Sequence, residues 1–131
     1  MTAASLSMRA SDSILEHRES WARQITDALY AADPTLLERF GPAGRAKCLQ
    51  DMVHCLEHLA PAVAMEDPSI FARYVIWVVK LLAVRAVDSG HVRRSLEATR
   101  SVLADRLESG EWACVRGCLQ EGVASCPAPA S

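Results

Sequence analysis

The chain has 131 residues, half of them hydrophobic and 23% charged, a composition that fits one globular domain and excludes a disordered or fibrous chain. A net charge of −2 and a pI near 6.1 leave no general basic surface, so nucleic acid is not an expected partner. The first residues lack a secretory pattern and the five cysteines are an odd number. A cytoplasmic protein with reduced thiols is therefore expected in preference to a disulfide framework.

Residues 1–12 are small and polar and read as a flexible tail. Ser13 followed by Glu16 forms an S-x-x-E capping box and predicts a helix start near Ile14. Ile14, Trp21, Ile25, Ala28 and Leu29 then recur at helical spacing. Asp33-Pro34 starts another helix, with Asp as cap and Pro in the first turn, and "GPAG" at 41–44 stops it after two turns. A longer helix is expected over 45–60, where Pro61 removes a backbone bond and kinks or ends it.

Asp67-Pro68 opens a helix over 69–87 that is apolar on nearly every face, the pattern of a central, buried helix. Its apolar run at 74–87 is too short to span a bilayer and carries Lys80 and Arg85, so no membrane span is expected. Beyond a turn at 88–90, Val92, Leu96, Thr99, Leu103 and Leu107 form a stripe, and a weaker helix is predicted over 112–123. "DPTLLERF" and "DPSIFARY" echo each other 34 residues apart. They read as one capping device used twice, because a helical repeat array needs about three copies. No alternating strand pattern occurs. The predicted fold is all-α, a single-domain bundle of five to seven helices over 13–124, followed by a disordered tail at 125–131.

Chemistry-bearing residues concentrate in one place: Cys48, Asp51, His54, Cys55 and His58 fall within eleven positions. At 100° per residue, Cys48, Met52, Cys55 and Leu59 share the apolar face, where free thiols pack as small hydrophobes. Asp51 and His58 lie on its edge. His54 and His58, four apart, share a face as metal ligands would, but the glutamate of H-E-x-x-H is missing. Cys114 and Cys118 lack CxxC spacing and read as ordinary thiols. His91, at a helix start, reads as a neutral capping-region residue. Arg73, Lys80 and Arg85 either lay their stems on apolar surface or pair with a ligand carboxylate. No nucleophile elbow, phosphate loop or dinucleotide fingerprint is present, so no catalytic residue is assigned and the chain is read as a non-enzyme.

Three motifs carry a resemblance over about residues 28–107: P-x-L-x-x-R-[FY]-G at Pro34 to Gly41, G-R-x-x-C-x-x-D at Gly44 to Asp51, and D-P-x-x-F-x-x-Y-V-x-W at Asp67 to Trp77. This succession resembles a helical module of bacterial regulatory proteins, often N-terminal to cobalamin-binding or other signalling domains and similar to globin-like or phycocyanin-like sensor bundles. Where that pattern has histidine four after the aspartate, this chain has Cys55 with His54 beside it. No cobalamin-binding D-x-H-x-x-G motif follows. The resemblance implies a globin-like fold and a sensory or regulatory role through protein–protein interaction, with a regulatory protein as a partner and a small ligand as an option.

The candidate ligand-binding residues are Asp51, His54, Cys55, His58, Tyr74 and Arg85. The apolar surplus of the 69–87 helix marks Ile76, Trp77 and Val84 as a candidate homodimer interface. No cofactor is assigned. The alternative is a haem, tetrapyrrole or metal protein using His54 or His58, with Cys55 as a further metal ligand.

Overall fold

The structure, a computed structural model, describes residues 2–127, and its first helix begins at Ala3. Helix α1 spans Ala3–Glu16, capped by the Thr2 side chain, which accepts from the Ser5 amide at 3.1 Å. This corrects the tail expected over 1–12 from Thr2 onward; residue 1 lies outside those described. The buried face of α1 is Ser7, Ala10, Ser11 and Ile14, three of them small, so the face carries little hydropathy signal. The Ser13–Glu16 pair closes α1 instead of opening a helix. The Ser13 carbonyl accepts from both the backbone N–H and Nδ1 of His17, each at 3.0 Å. After that single joint, α2 runs Arg18–Ala32 and buries Trp21, Ile25 and Leu29 as expected, while Ala28 is exposed.

Helix α3, Thr35–Ala64, is two helical pieces joined at Gly41, where φ is +69° and ψ −178°. A positive φ combined with an extended ψ is essentially a glycine-only conformation, which explains the stop expected there; Pro42 then restarts the helix, needing no amide donor in a first turn. Pro61 neither ends nor kinks the helix in backbone angle, since the only non-helical pair inside α3 is at Gly41. It lies in the last turn, where its own carbonyl still accepts from Met65 at 2.9 Å.

Helices α4 (Pro68–Val84), α5 (Ser89–Arg106) and α6 (Ser109–Ala124) complete six helices among the described residues. The fold is all-α, and no helix is long and apolar enough to cross a membrane.

The two D-P echoes do use one device. Asp33 Oδ1 accepts from the amide and hydroxyl of Thr35, and Asp67 Oδ1 from those of Ser69. Helices α3 and α4 also end alike, each on a non-glycine residue with positive φ: Glu66 at 51° and Ala86 at 61°. In both, paired backbone bonds close a Schellman motif, Asp67 to Ala62 and Glu66 to Val63 in one, Val87 to Leu82 and Ala86 to Ala83 in the other.

The central helix is α3, which packs against α1, α2, α4 and α6 and buries Met52, Leu56, Leu59 and Val63. This corrects the expectation that the 69–87 helix is central. Only Phe71, Ala72 and Val75 of α4 are buried, because its N-terminal half packs on α6 while the remainder leaves the core. Gly122 of α6 permits that contact: a Cβ there would meet the Phe71 ring at 2.6 Å. Beyond α6 the chain is still held, since Cys126 is buried and its carbonyl accepts from Arg93 at 3.1 Å. The tail expected from 125 is thus packed at least through Cys126; its last residues, 128–131, lie outside those described.

Candidate functional site: a cavity between α3, α4 and α5

A short turn sends α4 back antiparallel along α3, and α5 closes one side. Between the three lies a cavity of about 550 Å³, the size range that accepts a small molecule. Its walls are mainly apolar, with Met52, Val75, Val78, Leu82, Val92 and Leu96 among them. The six candidate ligand-binding residues Asp51, His54, Cys55, His58, Tyr74 and Arg85 all line it. So does Trp77, whereas Ile76 and Val84 lie on the outer surface of α4, 43% and 87% exposed.

The antiparallel register gives the cavity two distinct ends. At one, the His58 ring stacks on Tyr74, centroids 4.1 Å apart and planes 13° from parallel. His58 Nδ1 is 2.7 Å from the His54 carbonyl. A carbonyl only accepts, so Nδ1 carries the proton, and in the neutral ring Nε2 holds the lone pair. Eleven residues along each helix, Lys47 and Arg85 line the other end, about 16 Å away at the α-helical rise. Lys47 Nζ pairs with Asp51 at 3.0 Å. Among the described residues no carboxylate lies within ion-pair distance of Arg85.

Burial holds the reactive groups in their neutral forms. The Cys55 thiol is pushed up to about 12 by burial alone. Cys48 is pushed to about 11, by burial first and then by the Asp51 charge, against a hydrogen bond to Thr26 that lowers it. Burial likewise raises the Tyr74 phenol, with Cys55 and the nearby acids adding to it. His91 is shifted down by burial and then by Arg94, so the imidazole is favoured over its cation. Its Nδ1 is buried and has no hydrogen-bond partner among the described residues, while its backbone amide donates to Asp88 at 3.0 Å. The cavity thus offers neutral thiols, a neutral phenol and a cationic end. In these protonated forms the two thiols and the phenol are weak nucleophiles.

A metal would require more donors than are gathered. Among the described residues no three of His, Cys, Asp and Glu stand together as a metal-binding group. His54 and His58 share a face, but Cys55, which also lines the cavity, is buried in the core cluster and keeps its proton.

Sequence reading missed Lys47, Cys48, His91 and Ser95 as cavity residues. Lys47 carried one legible signal, its i,i+4 spacing to Asp51. His91 and Ser95 carried none, because their position depends on how α5 packs. The motifs of the family resemblance do fall on these walls: Gly44, Cys48 and Asp51 from one, Tyr74 and Trp77 from another. No family model and no curated protein matches this chain.

Proposed function

We propose that this chain is a non-enzymatic, cytoplasmic regulatory or sensory module that takes a small ligand into the α3–α4–α5 cavity and acts through protein–protein contact, with a second copy as its first partner. The observation that carries this reading is the double role of α4. Its inner face supplies Tyr74, Val78 and Leu82 to the cavity, while Ile76 and Val84 leave apolar surface in water on the same helix. Trp77 belongs to both, lining the cavity while 58% exposed. A ligand between α3 and α4 therefore acts on the helix that presents the contact surface.

Native mass spectrometry of the purified protein, with and without the apolar dye anilinonaphthalene sulfonate, tests both halves. A dimer that Val84→Glu with Ile76→Glu converts to monomer, and one dye per chain lost on Val78→Trp, are the expected results. A monomer that takes up no dye would refute the reading.

A second reading, haem or another tetrapyrrole held through His58, has one observation in its favour. The Nδ1–H to carbonyl bond is the arrangement that orients a metal-ligating imidazole and raises its basicity. Of the candidate ligands, His58 alone has its second nitrogen fixed in this way, so it and not His54 would be the axial residue. Titration of the protein with haemin decides it: a sharp visible band that His58→Ala abolishes supports this reading, and a spectrum indifferent to that change removes it.

A further inference from the structure

The cavity is asymmetric in charge along its length, and the asymmetry selects among ligands. Between its two ends the walls are mainly apolar, with Val78 and Leu82 from α4 and Val92 and Leu96 from α5 beside the polar His54, His91 and Ser95. The far end, at Tyr74 and His58, holds aromatic faces and no Lys or Arg, and the charges of Asp51 and Glu57 reach it and disfavour an anion there. At the near end Lys47 is balanced by Asp51, while the Arg85 guanidinium has no carboxylate partner among the described residues. Arg85 is also exposed, following the last turn of α4. An anionic group beside it would stay wet at the rim and escape the cost of burying a charge, while an attached apolar body entered the cavity.

We propose that the ligand is an elongated apolar carboxylate, its carboxylate paired with Arg85 at the Lys47 end and its chain lying along α3, α4 and α5 toward Tyr74. This assignment rests on the reading of the cavity as a ligand site and names the class of ligand it takes. One unmatched positive charge calls for a monoanion. The run of about 16 Å between the ends calls for a chain, not a compact ring. A cationic amphiphile would place like charge on Arg85, and a neutral one would gain no charge-assisted bond from the guanidinium, which stays hydrated.

The test is calorimetric titration of the full chain with decanoate, decanol and decyltrimethylammonium. Decanoate binds one per chain and about tenfold tighter than decanol, the scale of a charge-assisted hydrogen bond at a wet rim. Arg85→Gln, a change at an exposed position, brings decanoate down to the decanol affinity and leaves decanol unchanged. Asp51→Asn tightens decanoate severalfold, because it removes the acid that competes for Lys47.

If decanoate and decanol bind equally, or Arg85→Gln changes neither, the anion assignment fails while the cavity remains a ligand site. Tighter binding of the ammonium compound also overturns it, by reversing the sign. If none of the three binds, the cavity reading falls with it.

Discussion

Two glycines on α6 should respond in opposite ways to the same substitution. A helix-interior glycine replaced by alanine gains about 1 kcal/mol from propensity alone. Gly117 is exposed, and a Cβ built there meets nothing within 4 Å, so Gly117→Ala should stabilise by about that amount. Gly122 is buried against α4, and its Cβ would stand 2.6 and 2.9 Å from two Phe71 ring atoms and 3.2 Å from Val75. Phe71 is fully buried and Val75 nearly so, so neither ring nor methyl can swing into solvent. Forcing one methyl into such a contact costs about 1–3 kcal/mol, which exceeds the propensity gain over most of that range. A net loss of about 1 kcal/mol is expected for Gly122→Ala.

With an unfolding entropy of about 2.1 cal/mol/K per residue, each kcal/mol moves the midpoint of this chain by roughly 4 °C. The two variants should therefore straddle the parent in thermal melts, some 8 °C apart by the same scaling. Equal upward shifts would refute the claim that α4 and α6 meet at Gly122. With it would go the placement of α4 over the cavity, since that contact sets how far α4 stands from α3.

Other consequences are equally direct. Glu66→Gly and Ala86→Gly each replace a left-handed non-glycine residue at a helix end, and each should stabilise by about 0.5–1 kcal/mol in urea titrations; a loss of stability would mean the Schellman ends are not formed. Cys55, with its thiol near 12, should present roughly a thousandfold less thiolate than a free cysteine. It should be unreactive to an aromatic disulfide reagent at neutral pH until urea unfolds the chain, and native-state labelling at the unfolded rate would contradict its burial. The carboxyls of Asp33 and Asp67 are held below the usual aspartate range, first by the hydroxyls of Thr35 and Ser69. Because the folded value is the lower one, their stabilisation is complete above the ordinary aspartate range and is lost as pH falls through the depressed value. Carboxyl NMR titration should find both below that range, and Asp33→Asn with Asp67→Asn should flatten the acid limb of the stability curve.

Much of the candidate site was legible before any geometry. Asp51, His54, Cys55 and His58 stood out because helical spacing places residues three, four and seven apart on adjoining faces, and all four line the cavity. The sequence leaves Arg85 a choice between snorkelling and pairing, and among the described residues no carboxylate pairs with it at the rim. The status of Cys48 was harder to see. It is buried as a core thiol and also touches the cavity, because the core of α3 and the cavity wall are one continuous apolar face.

What the chain by itself determines is local. Caps at Asp33 and Asp67, the break at Gly41 and the stripe of α5 follow from hydrogen bonds and periodicities spanning a few residues, and all are found as read. The tertiary structure decides which faces meet. Helix α1 was invisible as a structural element because serine and alanine bury well only when a partner comes close, and that partner is α3, far along the chain. Helix α4 had the hydropathy of a central helix, yet Gly122 admits only its first turns into the core. Hydropathy says how much surface a helix could bury; packing says how much neighbouring surface exists to bury it. The difference on α4 is one apolar flank turned to water and another turned to the cavity.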